Sequence, residues 1–310
     1  MSLIRRTFLQ SLFGGSLALG SGAALATEAK SGTPDDTSPL VMAFLTDTHQ
    51  PAGNTDVMNQ VGKLIDQIQA QETAPQLFVF GGDNVMSVDG NQSDEQTDIQ
   101  FRQWKENVID RLQVPSVSCI GNHDIRWKDR DADKPEAYQE KARAIETFQM
   151  PARYYSADHG GWTFFLLDTY QYEGCEIDEA QFAWLEEELK KSDKPALVVT
   201  HAPLMSVTHF YEPSIDKGLG KGYSIPGGWS PQRLTQIRDL FRRYPRVKLC
   251  LSGHMHTVDR CDVDNTTYIC GGAVSGNWWG KQDYLGFAPT WIEVKLYPDG
   301  QWSHQQHAWT

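Results

Sequence analysis

The chain predicts an α/β fold, with sheets covered by helices, on three observations. Short apolar runs alternate with amphipathic segments for most of its length. The early runs are continuously apolar, as expected of strands buried on both faces. Five runs end in clusters of His, Asp or Asn, frequently beside Gly, and open α/β sheets build their ligand sites at such strand ends.

The first run is LVMAFL at 40–45, followed by a helix over 55–70 in which Val57, Val61, Leu64, Ile65 and Ile68 form one stripe. QLFVF (76–80) leads to a second helix over about 94–113. SVSCI (116–120), TFFLL (163–167) and ALVVT (196–200) continue the strand series. A third helix starts near Asp178, with Gln181 three residues on as its capping-box partner and Phe182, Leu185 and Leu189 turned inward. A fourth starts at Ser230-Pro231, a cap followed by a first-turn proline, and ends before Pro245. VKLCL (247–251), TTYIC (266–270) and TWIEVKL (290–296) crowd together, which predicts an antiparallel portion. The polar stretch 27–39 reads as a flexible lead-in, 40–297 as the folded domain, and 298–310 as a tail in which His304 and His307 are bystanders.

Composition narrows the partners. The 310 residues carry 28 basic and 40 acidic groups, a net charge of −12, which argues against a nucleic-acid polymer or an anionic membrane surface. At the start, RRTFLQSLFGGSLALGSGAALA places Arg5 and Arg6 before a Gly-rich apolar stretch that closes on Ala24-Leu25-Ala26, a small-x-small cleavage pattern. The R-R-x-F-L order resembles a twin-arginine export signal over residues 1–26. A periplasmic or secreted protein without a stable membrane anchor is the expectation. Cys119 and Cys250 read as buried hydrophobes and Cys175 as a loop residue. Cys261 and Cys270 flank a hairpin around Asp264-Asn265 and would form a disulfide if the register sets them opposite.

The strand-end clusters are Asp47-Thr48-His49, Gly81-Gly82-Asp83-Asn84, Gly121-Asn122-His123-Asp124, His201-Ala202-Pro203 and Gly253-His254-Met255-His256. Carboxylate, imidazole and amide oxygen, without thiolate, suit ions such as manganese, iron or zinc. Asp47, His49, Asp83, Asn122, His201, His254 and His256 make seven candidate ligands. That is too many for one tetrahedral ion with an open position, and right for two ions if one carboxylate bridges them. The glycines would let backbone approach where a Cβ would crowd the ions.

The ordered series D-x-H, G-D, G-N-H-D, H, G-H-x-H, over about residues 40–275, resembles the calcineurin-like metallophosphoesterases. The resemblance implies a four-layer α/β/β/α sandwich with mixed sheets and a dinuclear metal centre. It implies that Asp47, His49 and His256 hold one ion, that Asn122, His201 and His254 hold the other, and that Asp83 bridges. It further implies in-line attack on phosphorus by a metal-bridging hydroxide, with His123 facing the substrate as acid and Asp124 orienting its ring. Met86 stands where the purple acid phosphatases need a tyrosine, so their coloured iron complex is not expected. The G-N-H-D and H-A-P clusters look most like the phosphodiesterase branch that includes the class III cyclic nucleotide enzymes; phosphomonoesterase activity is the alternative. An exported, metal-loaded binding scaffold is the reading from another class.

The substrate would be a small phosphoester lying outside the inner membrane. Its rim candidates are residues 125–131, 204–229 and 275–281. Arg126, Lys128 or Lys281 would neutralise a distal phosphate, and Trp278 or Trp279 would stack on a base or sugar. His159, in the turn ADHGGW, and His209 read as structural or exposed.

Overall fold

A computed structural model of the chain describes residues 38–53, 55–89, 92–127, 141–172, 174–211 and 225–309. The expected export signal, most of the lead-in, Lys128 and the middle of the 204–229 loop lie outside the described residues. The order is β1 (Leu40–Leu45), α1 (Thr55–Gln69), β2 (Leu77–Phe80), α2 (Asp94–Asn107), β3 (Ser116–Ser118), α3 (Ala142–Thr147), β4 (Tyr155–His159) and β5 (Trp162–Leu166). It continues with β6 (Tyr170–Gln171), β7 (Gly174–Cys175), α4 (Glu179–Lys190), β8 (Ala196–Val199), α5 (Leu234–Arg243) and β9 (Val247–Ser252). β10 (Val258–Val263), β11 (Thr266–Gly271), β12 (Thr290–Leu296) and β13 (Trp302–Ala308) close the series. Among the described residues no helix is long and apolar enough to cross a membrane.

Two mixed sheets result. One has the order β13-β12-β1-β2-β3, the other β10-β11-β9-β8-β5-β4, and β6-β7 form a small ladder. β1, β2 and β3 are parallel, as are β5, β8, β9 and β11. The alternation of side chains along each strand decides the layering. Met42 and Phe44 of β1 and Leu77 and Val79 of β2 meet Phe164, Leu166, Leu197, Val199, Leu249 and Leu251 of the other sheet. Their neighbours Ala43, Leu45, Phe78 and Phe80 face the opposite way, onto Val61, Leu64 and Ile65 of α1 and Phe101 and Trp104 of α2. On the far side Phe165, Val198 and Cys250 cover Leu185 and Leu189 of α4 and Ile237, Leu240 and Phe241 of α5. Three apolar cores between four layers are the α/β/β/α sandwich. Trp104 is fully buried, and truncating it to Ala should cost about 3–5 kcal/mol.

The structure alters several sequence expectations. Residues 302–308 are no tail: they pair antiparallel with β12 as an edge strand. There His307 stacks on Trp291, with ring centroids 4.3 Å apart. α2 stops at Asn107, and Ile109–Arg111 form a separate 3-10 turn. α4 has the expected cap, Asp178 accepting from Gln181 N at 2.9 Å. α5 begins at Leu234 and not at Ser230, because Gln232 is used in a bridge to Glu176, donating its N–H to Cys175 O. The turn of ADHGGW is Gly160-Gly161, and His159 ends β4. The β10–β11 hairpin does turn on Asp264-Asn265, but Cys261 faces Tyr268 and Cys270 faces Asp259. The two thiols are diagonal, roughly 7–8 Å apart at Cα, too far to bridge, and both are free.

Candidate metal centre

All five clusters sit where strands of the two sheets run out at one end of the molecule. Asp47 and His49 follow β1, Asp83 follows β2, and Asn122 and His123 follow β3. From the second sheet come His201 after β8, and His254 and His256 after β9. Three ligand groups form, each with donor atoms within 4.8 Å of one another: Asp47, His49 and His256; His49, Asp83 and His123; Asp83, His201 and His254. Asp83 Oδ2 lies 3.0 Å from His201 Nε2, 3.7 Å from His49 Nε2 and 3.9 Å from His123 Nε2. Asp47 Oδ1 lies 3.3 Å from His256 Nε2 and 3.7 Å from His49 Nε2. One carboxylate therefore faces both halves of the cluster.

Backbone geometry brings the groups this close. Asp47, His49, Asp83, His254 and His256 all have φ between 43° and 69°, the left-handed region that side-chain-bearing residues avoid. Each such residue costs about 1–3 kcal/mol and persists only where its surroundings over-determine it. The flanking glycines are required: a Cβ on Gly121 would lie 2.1 Å from Asp83 Oδ1, and one on Gly253 2.1 Å from Asp47 Oδ2.

The outer contacts fix which atoms face inward. His201 Nδ1 lies 2.8 Å from Gly81 O, and His256 Nδ1 lies 2.6 Å from Gly276 O. A carbonyl only accepts, so both Nδ1 atoms are the donors and both Nε2 atoms point into the cluster. Asp47 Oδ2 accepts from Thr46 Oγ1 at 2.6 Å and from His254 N at 2.9 Å. Asp83 Oδ1 accepts from His123 N at 2.8 Å, which leaves its Oδ2 for the interior.

The charges are strongly coupled. Burial resists ionisation of Asp47 and Asp83, but His201 and the neighbouring imidazoles outweigh it and hold both carboxyls well below the usual range. Burial works against the His201 cation too, and Asp83 and Asp47 overcome it, raising this imidazole to about 9. Burial, then His201, depress His254 to about 3, and burial lowers His49 below the ordinary imidazole range. The arrangement fits divalent ions: inward imidazole nitrogens and carboxylate oxygens, and a buried Asn122 Oδ1 with no hydrogen-bond partner. No cysteine belongs to any of the three groups.

The remaining candidates separate. His123 is partly exposed at the edge of the cluster, its Nδ1 2.5 Å from Met86 O and its ring edge-on to His49 at 4.7 Å. Asp124 does not orient that ring. Its carboxylate accepts from the backbone N–H of Asn84, Val85 and Gly121, tying the β2 and β3 loops together, and burial with the Asp83 charge raises it to about 8. Arg126 is not on the rim: it is buried, bonded to Thr97 Oγ1 at 2.6 Å and to Asp94 at the start of α2. Trp278 is 39% exposed and stacks on His256 at 4.0 Å, with Tyr284 edge-on to it. Trp279 is turned inward instead, its Nε1 donating to Thr48 O and His49 O. Lys281 is exposed and His209 buried. Sequence reasoning missed Tyr170, whose hydroxyl lies 2.9 Å from Gly228 O and 3.1 Å from His254 Nε2. The one signal was its place just after a strand, in Asp168-Thr169-Tyr170.

Comparison with known proteins agrees with this geometry. Residues 40–258 match the family model of the calcineurin-like phosphoesterases. A 3',5'-cyclic-nucleotide phosphodiesterase of Nostoc sp. is 26% identical over 281 residues, covering 86% of this chain and 91% of that protein. Among solved structures, a dimetal phosphatase of Danio rerio superposes with a TM-score of 0.58 at 12% identity, over 88% of this chain and 100% of that one. GAP50, the anchor in the inner membrane complex of Plasmodium, superposes with a TM-score of 0.51 at 16% identity, over 87% and 88%. These two likenesses establish the fold, and the family match spans all five strand-end clusters. With Asp, His and Asn donors converging from both sheets, the chain is a member of the calcineurin-like phosphoesterase family, a metallophosphoesterase that hydrolyses phosphoric esters.

Proposed function

We propose that the chain is an exported, dinuclear metal-dependent phosphodiesterase acting on a small phosphoester. The observation that carries the two-ion reading is Asp83 Oδ2, which faces His201 on one side and His49 on the other. Asp47, His49 and His256 would hold one ion, Asn122, His201 and His254 the second, with Asp83 between them. Two bound ions, of manganese, iron or zinc, would acidify a water and neutralise the phosphoryl oxygens. The chain's own groups supply the rest. With Nδ1 donating to Met86 O, His123 turns its Nε2 toward the cluster, 3.9 Å from Asp83 Oδ2, where that atom would pass a proton to the leaving oxygen. Trp278, with its exposed ring beside His256, would form the wall against a substituent on phosphorus.

The preference for diesters is supported by the Nostoc relative, whose name is that of a cyclic-nucleotide phosphodiesterase. Export is supported by the paired arginines and the Ala24-Leu25-Ala26 end of the N-terminal segment, and on that reading the substrate would lie in the periplasm or outside the cell. The test uses metal-stripped protein lacking residues 1–26, assayed on bis(p-nitrophenyl) phosphate and p-nitrophenyl phosphate before and after Mn²⁺. Metal-dependent turnover favouring the diester is expected. A monoester preference would replace the diester reading, and metal-loaded protein inert on both and on cyclic nucleotides would favour a binding scaffold.

A further inference from the structure

We infer that Trp279 is the positioning residue that holds the Asp47–His49 turn in its metal-receiving conformation; the inference rests on the two-ion reading above. Asp47, His49 and His256 have φ of 53°, 43° and 55°, so the turn needs external restraint. Two segments provide it: Asp47, His49 and Gln50 donate their N–H groups to the carbonyls of Gly82, Asp83 and Asn84, and residues 274–279 take the carbonyls of the turn. Val274 N donates to Thr46 O at 2.9 Å and Ser275 N to Asp47 O at 3.1 Å. Trp279 Nε1 then donates to Thr48 O at 3.1 Å and His49 O at 3.0 Å. Four consecutive carbonyls, 46 to 49, are thus taken by residues 274–279. In the same segment Gly276 O receives the Nδ1–H of His256. The clamp touches Asp47, His49 and His256, the unshared ligands of one ion, and, among the described contacts, none of His201, Asn122 and His254.

The indole matters because the other two donors are backbone groups that any side chain would preserve. Trp279 has φ of 64° and is held by its N–H to Ser275 O at 2.9 Å. Its ring lies edge-on to Trp309 at 5.9 Å, and Trp309 Nε1 donates to Val274 O at 3.1 Å. The segment following β13 thereby joins the support of a site more than 200 residues away in sequence. Without the Trp279 N–H, the Thr48 and His49 carbonyls lose their donor, and these two peptides are held only through the His49 and Gln50 N–H groups on Asp83 O and Asn84 O. His49 then relaxes from the left-handed region and carries its Nε2 away from His256.

The test is stepwise Mn²⁺ or Zn²⁺ titration of the metal-free full chain against a chelator, for wild type and Trp279→Phe. Loss of an outer-shell hydrogen bond of this kind costs about 10–100-fold in metal affinity. That loss is expected in one of the two binding steps, with the other unchanged and the thermal midpoint of the metal-free protein preserved. In a His49→Ala background, Trp279→Phe should add no further loss. Replacing Trp279 by benzothienylalanine, which keeps the ring shape and removes only the N–H, should reproduce the Phe result even if Phe disturbs packing. Unchanged affinities, or equal weakening of both steps by benzothienylalanine, would overturn the inference. Wild-type protein binding fewer than two ions would instead overturn the reading on which it rests.

Discussion

The Nε2 atoms of His49 and His256 lie 3.0 Å apart, although the residues are separated by 207 positions in the chain. His256 gives its Nδ1 hydrogen to Gly276 O, so its Nε2 is the atom turned to the other ring. Two such nitrogens at this distance tolerate one shared proton or one shared cation. A cation also meets the adjacent Asp47 carboxylate. Divalent metal should therefore bind the folded chain and raise its thermal midpoint. At a hundredfold excess over Kd the stabilisation is about 2.7 kcal/mol, which corresponds to roughly 5 °C for a domain of this size. Differential scanning fluorimetry with Mn²⁺ and then EDTA checks it; a midpoint indifferent to both would exclude the site.

Asp83 is the residue whose loss should be felt by both ions. Its Oδ2 lies 3.0 Å from His201 Nε2 and also faces His49 and His123. Asp83→Asn keeps the shape and removes the charge between two cations. Metal analysis after desalting is expected to fall from two ions per chain toward none, whereas His256→Ala should leave one. Two tightly retained ions in Asp83→Asn would remove the bridging role.

These pairings show what the sequence could reveal and what it could not. The β1, β2, β8 and β9 strands were legible because their runs are almost wholly buried and each ends at a glycine or a polar cluster. The ligand types were legible for the same reason. The β13 strand was not, because Trp302–Ala308 alternates polar and partly buried residues on an edge with few apolar positions. Arg126 looked like a phosphate contact because local sequence does not show that Thr97 and Asp94 of α2 approach it. The distinction between Trp278 and Trp279 was equally hidden. Both take left-handed φ, and only the tertiary position of the Thr48 and His49 carbonyls turns one indole inward.

His123 should matter in proportion to the leaving group. The Met86 contact on Nδ1 turns its Nε2 toward the cluster, 3.9 Å from Asp83 Oδ2, and on the proposed mechanism this atom would protonate the departing oxygen. His123→Ala is expected to reduce kcat on poor leaving groups by about 10²–10⁴. Nitrophenolate departs without a proton, so turnover of bis(p-nitrophenyl) phosphate should fall far less. A leaving-group series on both proteins gives the comparison, and equal losses throughout would remove His123 from the acid role.

Metal uptake should release a proton from His201. In the metal-free cluster burial opposes its cation, but Asp83 and Asp47 raise the imidazole to about 9, so at pH 7 its Nε2 carries a proton. The Nδ1 hydrogen is committed to Gly81 O, which leaves Nε2 as the atom that must be freed for an ion. The sign follows directly. Because the folded value lies above the unfolded one, the His201–Asp83 pair stabilises the metal-free fold fully below the unfolded value, and this contribution is lost as pH rises through about 9. Metal affinity runs the other way, strengthening over the same interval as the competing proton leaves. Calorimetric titrations at pH 7 in two buffers of different ionisation enthalpy should show about one proton released per chain. In His201→Asn that release should vanish along with one of the two binding steps, whereas uptake of both ions with no proton exchange in the wild type would place the proton elsewhere.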